Sequence, residues 1–253
     1  MALSRLLAVA MLCLSPASAQ EVLQHTGKAL ESFWDRLSQV NCVETVQQAK
    51  LGPGGKVVYR QDSSFDYLVL LQLTGNEMLV DESRSPIAEG KEQKNVPLLI
   101  TNGFSMLAFI FHPFFQSAFE YSAPEPVEAN GASLWQVRFR HVAGARSPSV
   151  LKLRQRDYPV EWQGTAWIDR ESGAVVRISA GLMSSMEDLG LKSLNADVKY
   201  GRVGFKGDAG TYWLPETAAI EVETARQHWR NLHTFGKYRL FAVDVKTNVE
   251  TPK

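Results

Sequence analysis

From Leu23 onward, apolar positions recur three and four residues apart, at Leu23, Thr26, Leu30, Phe33, Leu37 and Val40. This spacing predicts an amphipathic helix that stops near Asn41. After Cys42 the period falls to two. Cys42–Leu51 reads as a strand, Gly52–Gly55 as a turn and Lys56–Gln61 as its hairpin partner. From Phe65 to Leu73 both alternating sets contain apolar residues, as expected of a strand covered on both faces. Gly75-Asn76 then turns the chain into Glu77–Val80, and Asp81–Asn95 reads as a charged loop.

The pattern changes sharply at Val96. No Asp, Glu, Lys or Arg occurs from Val96 to Phe119. Pro113 lacks an N–H and suits a first helical turn, so the run predicts two short helices. The first, about Gly103 to Phe111, is apolar on every side. The second carries Phe114, Phe115, Ala118 and Phe119 on one face. A helix apolar all round has to be enclosed. A membrane span is excluded on length and interruption, since Pro97, Asn102, Gly103, His112, Pro113 and Gln116 break a run that would need about 20 apolar residues. The expectation is a segment held by apolar contact, without directed hydrogen bonds.

Beyond Tyr121 the alternation returns. Asn130-Gly131 marks a hairpin turn. Trp135, Val137, Phe139 and His141 share one face of the next strand. Val150–Arg156, the pair Gly164–Asp169 and Ala174–Gly181, Ser193–Phe205, Thr211–Arg226 and Gln227–Thr247 follow as strands. No linker or internal repeat divides the chain. The fold class is therefore α+β: a single curved antiparallel sheet of about ten strands. It forms an open half-barrel wrapped around a central Phe-rich helical plug, with an N-terminal amphipathic helix.

Residues 1–19 read as a signal peptide, with Arg5 before an apolar run Leu6–Leu14 and Ala17-Ser18-Ala19 as the cleavage site. Residues 20–253 then form one domain, periplasmic or secreted. Cys13 leaves with the signal, so Cys42 has no internal disulfide partner and the core must hold the fold. Lys+Arg and Asp+Glu are equal at 27 each, which argues against a nucleic-acid binder.

Candidate chemistry is sparse. Gly103-Phe104-Ser105-Met106-Leu107 lacks the second glycine of a nucleophile elbow, so Ser105 reads as a core or capping residue. His25, His112, His141, His228 and His233 lack ligand spacing, and neither metal nor cofactor is expected. Arg138, Arg140, Lys152, Arg154 and Arg156 would gather on one face if their two strands pair, giving a surface for an anionic partner. Phe104, Leu107, Phe111, Phe114, Phe115 and Phe119, with Trp167, are the expected apolar lining or lid of a ligand site.

The hairpin GTAWIDRESGAVVRI (Gly164–Ile178) and the late YWLP strand (Tyr212–Pro215) follow this order of helix, meander and Phe-rich insertion. In this the chain resembles the periplasmic outer-membrane lipoprotein carrier and receptor group (Lol-type), and it is similar to the sensor-regulator proteins sharing that half-barrel. It also resembles a group of exported bacterial proteins of unassigned role. The resemblance implies a non-enzymatic protein that takes a lipid or acylated lipoprotein in an apolar concavity. The alternatives are docking of an envelope protein and, third, an exported hydrolase.

Overall fold

The structure, a computed structural model, describes residues 18–74, 77–87, 101–153, 156–208 and 210–240. Helix α1 spans Ala19–Leu37. Ser18 and Glu21 close a capping box at its start, which satisfies two of the amide donors a helix N-terminus leaves open. Val22, Thr26, Leu30, Phe33 and Leu37 are buried along its seam. Val40, predicted as the last member of that seam, instead starts strand β1.

Strand β1 is Val40–Leu51, β2 Val57–Thr74 and β3 Glu77–Pro86. The two short strands expected between Lys56 and Leu73 are thus one, and β3 takes up residues predicted as loop. The remaining predicted loop, from residue 88, lies outside the described residues. Phe104–Phe111 forms 3₁₀ turns with a break at Met106, and helix α2 is the single turn Pro113–Gln116. Strands β4 (Phe119–Tyr121), β5 (Glu125–Ala129) and β6 (Ala132–His141) follow. Then come β7 (Val150–Leu153), β8 (Arg156–Pro159), β9 (Trp162–Asp169) and β10 (Val175–Leu182). The last are β11 (Leu191–Gly204), β12 (Thr211–Thr224) and β13 (His228–Leu240). The predicted extension of the final strand to Thr247 lies outside the described residues.

Eleven strands make one antiparallel sheet in the order β3-β2-β1-β13-β12-β11-β10-β9-β6-β4, with β5 also on β6. The first described strand sits beside the last described one, so the long meander β9–β13 continues into β1–β3. The sheet is open among the described residues, with β3 at one edge and β4 and β5 at the other, which fits a half-barrel rather than a closed barrel. Among the described residues, strands β7 and β8 pair only with each other.

One register line defines the inner face. Val137, Ala166, Ile178, Val198, Ala218, His233 and Val46 are successive partners across seven strands, and all are buried. Their neighbours Arg138, Thr165, Ser179, Asp197, Ala219 and Leu232 line the outer, more exposed face. Period-two alternation predicts just this division. Gly164 is where it is tightest: a Cβ there would come within 2.1 Å of the Ser179 carbonyl and 2.9 Å of the Phe139 ring.

Candidate functional site

The charge-free segment lies on the inner face, against α1 and strands β10–β12. Leu107 and Ile110 are buried in it, and Phe111 packs edge-on against Phe139 at 5.8 Å between ring centroids. Phe109 meets Phe33 of α1 at 5.7 Å, and Phe104 meets Trp162 of β9 at 6.2 Å. Among the expected lining residues, Leu107, Phe111, Phe115 and Phe119 are buried, whereas Phe104 and Phe114 are half-buried. Gly27 lets α1 approach α2, since a Cβ there would sit 3.0 Å from Pro113 Cγ.

Apolar contact is not the whole attachment, contrary to the expectation from sequence. The Ala108 amide donates to Tyr200 Oη at 3.1 Å, and Tyr121 Oη donates to the Ile110 carbonyl at 2.6 Å. Gln116 Nε2 donates to the carbonyls of Leu23 and Phe111. The bonds to Ala108, Ile110 and Phe111 hold backbone groups of the segment that burial would otherwise leave unpaired, and the one to Leu23 ties α2 to α1.

Among the described residues the strongest polar attachment is at residues 101–105, where the inner face of β1, β2, β3 and β13 is not apolar. Glu44, Tyr67, Glu82, Arg84, Asn231 and His233 converge there. The Arg84 guanidinium grips both oxygens of Glu44, Nη2 at 2.9 Å from Oε1, and Nη1 reaches Glu82 Oε2 at 2.8 Å. The Glu44 side chain is fully buried and that of Glu82 nearly so. Burial pushes the Glu44 carboxyl up, but hydrogen bonds from His233 and Arg84 outweigh it and hold it below its ordinary value. Burial pushes the Tyr67 phenol far up, so it stays protonated.

Four residues of the segment's first turn plug into this cluster. Glu82 Oε1 accepts from the Gly103 amide at 3.0 Å, from Ser105 Oγ at 3.2 Å and from Tyr67 Oη at 2.9 Å. Arg84 Nη1 also donates to Asn102 Oδ1. Gly103 has φ of 82°, the left-handed region where glycine carries no steric penalty, and this turns its amide toward Glu82. Thr101 Oγ1 lies 2.6 Å from His233 Nε2 and accepts from Asn231 Nδ2 at 3.1 Å. His233 Nδ1 lies 2.7 Å from Glu44 Oε1; an ionised carboxylate only accepts, so Nδ1 bears a proton. Hydroxyl, imidazole and carboxylate therefore stand in line.

Several sequence-predicted residues are elsewhere. Trp167 sits between inward Ala166 and Ile168, so its ring is on the outer face, where Arg177 lies over it at 4.8 Å. The period of two that put Ala166 inside puts Trp167 outside. Ser105 bonds Tyr67 and Glu82, with no imidazole among its hydrogen-bond partners. The five-cation face is not assembled by strand pairing, because β6 pairs β9, β4 and β5 rather than β7. Arg138 and Arg140 share an exposed face, with Arg138 on Glu125 at 3.0 Å, and Arg156 is exposed on β8. The Lys152 side chain and Arg154 lie outside the described residues.

The cluster residues were present in the sequence pattern but unread. Glu44 falls between Cys42 and Val46 on the inward parity of β1, and Asn231 and His233 fall between Trp229 and Phe235 on that of β13. A charged or amide side chain on an apolar parity is the signal. Glu82 and Arg84 gave none, because their stretch reads as a charged loop.

Two hollows open elsewhere. One of about 230 Å³ is lined by Gly144, Ala145, Pro159, Glu161, Leu182 and Met186. A shallower one of about 160 Å³ lies on the outer face beside Ser179, Asp197, Glu221 and Arg230. Neither is lined by the Phe-rich segment. No group of three or more His, Cys, Asp or Glu side chains suited to a metal occurs among the described residues. Nor is any described helix long and apolar enough to cross a membrane.

No protein-family model and no curated protein sequence matches the chain. Among solved structures it is similar to a DUF1329 family protein from Desulfovibrio piger, with TM-score 0.45 and 9% identity, covering 92% of this chain and 95% of that one. It is also similar to a candidate outer membrane lipoprotein-sorting protein domain from Vibrio parahaemolyticus, with TM-score 0.39, 9% identity and the same coverage of both chains.

Proposed function

We propose that this is an exported, non-enzymatic binding protein of the cell envelope, which holds a lipid or lipoprotein acyl chain on the inner face of a half-barrel. In this reading the Phe-rich segment is the sheet's helical plug and gives way to the guest. Phe104, Leu107, Phe111, Phe114, Phe115 and Phe119 then act as lining or lid. The observation that carries it is the charge-free segment itself, sealed against the inner face by side chains and anchored by polar groups concentrated at its start.

The energies allow such an exchange. Met106, Leu107, Phe109, Ile110 and Phe111 are buried, and burial of five large apolar side chains stabilises by about 8–15 kcal/mol. A saturated chain of about sixteen carbons contributes about 13 kcal/mol at ~0.8 kcal/mol per methylene. A guest of that size matches the apolar part of what it displaces, while the hydrogen bonds at Ala108, Ile110 and residues 101–105 have to be made good by its head or by water. Native mass spectrometry and lipid extraction of the protein purified from its envelope test the reading. Co-purified acyl lipid is the expected outcome; no lipid, together with no uptake of a fluorescent fatty acyl probe, would remove it.

The line of Thr101, His233 and Glu44 favours a second reading, an exported hydrolase in which Thr101 rather than Ser105 is the nucleophile. Imidazole Nε2 would take the hydroxyl proton while Glu44 fixes the ring's tautomer. Turnover in a fluorogenic ester screen, lost on both Thr101→Ala and His233→Gln, would support it; no turnover would dismiss it.

A further inference from the structure

We infer that the polar cluster on β1, β2, β3 and β13 is the headgroup site for the same guest, and that it selects acyl chains joined through an amide over chains ending in an anion. This rests on the acyl-chain reading above and adds the chemistry of the head.

The segment itself is the template. Residues 101–105 are a hydrogen-bonding head and residues 106–111 an apolar tail. The head offers Glu82 an amide N–H from Gly103 and an O–H from Ser105, and offers Arg84 an amide oxygen from Asn102. A guest that takes the tail's position leaves its own head where these groups now sit. An acyl amide carries both complements, an N–H for Glu82 and a carbonyl oxygen for Arg84.

Charge excludes the other class. One guanidinium faces two buried carboxylates, and it already holds Glu44 with two nitrogens and Glu82 with a third contact. A carboxylate or phosphate head would bring a third anion into this space. In a partly buried site, like charges a few ångström apart repel by several kcal/mol. Glu82 would also lose the Gly103 and Ser105 donors with nothing from the guest to replace them, keeping Tyr67 and Arg84.

The test compares N-lauroyl glycinamide with laurate at pH 8, where laurate is ionised, by competition against a fluorescent acyl probe on the intact mature protein. The amide should bind at least tenfold more tightly. Glu82→Gln, which removes the charge but keeps an acceptor, should narrow the ratio to threefold or less. Equal affinities, tighter laurate binding, or an undiminished ratio in Glu82→Gln would overturn the headgroup assignment while leaving the acyl-chain reading in place. Binding of neither compound would remove both. The wild-type comparison decides the matter even if the variant does not fold.

Discussion

The Gly103 amide donates to Glu82 Oε1 at 3.0 Å, so the first peptide of the Phe-rich segment is bonded to a carboxylate on the edge strand β3. The same oxygen takes Ser105 and Tyr67. One side chain thus ties the sheet's edge to the segment that covers its inner face.

Glu82→Ala removes an acceptor shared by three donors. Tyr67 and Ser105 keep the hydrogen bond they make with each other, and the exposed Gly103 amide can turn to water. The cost should therefore lie toward the lower end of the roughly 1–3 kcal/mol for an unsatisfied buried group. Amide exchange at Gly103 should accelerate in this variant. The Ala108 amide, bonded to Tyr200 instead, should change less and serves as the internal reference.

Arg84 is the only described cation bonded to both carboxylates. Arg84→Met should destabilise by about 3–5 kcal/mol in urea unfolding, the usual cost of breaking a buried ion pair from one side. Adding Glu44→Gln should recover part of that loss, because one of the two stranded anions is then neutral.

Acid should act through the same residue. The Glu44 carboxyl is held below its ordinary value of 4.5 in the folded chain. It therefore contributes stability above pH 4.5 that is lost as pH falls through the lower folded value. Urea midpoints measured between pH 7 and pH 3 should fall less steeply in Glu44→Gln than in the wild type.

Gly164 has no room for a methyl group, with the Ser179 carbonyl 2.1 Å from where its Cβ would lie. Gly164→Ala should cost about 3 kcal/mol or more, the upper end for overpacking, because the obstacle is backbone rather than a mobile side chain. Thermal unfolding reads it directly.

Much of this architecture was legible in the alternation. The strand at Cys42, the hairpin at Asn130-Gly131 and the pair Gly164–Asp169 with Ala174–Gly181 were read close to their observed bounds, since local period and turn residues fix them. Pairing was not legible. Val150–Arg156 has the right alternation to join β6, yet it breaks after Leu153 and folds back on itself as β7 and β8. Nothing local distinguishes one partner strand from another. The candidate site was half legible. A run without charge announces its own burial, so the phenylalanines were found. The cluster of Glu44, Glu82, Arg84 and His233 is built from three strands far apart in sequence, and only the register brings its members together.

The central claim is that a guest chain takes the place of residues 104–111. Hydrogen exchange over that segment, with and without a saturating acyl chain, measures it most directly. Leu107 to Phe111 should lose protection when the chain is bound, while the register line through Ile178 and Val198 keeps its own. Protection of the segment unchanged or increased in the bound protein would contradict displacement, and the segment would then be a fixed part of the core.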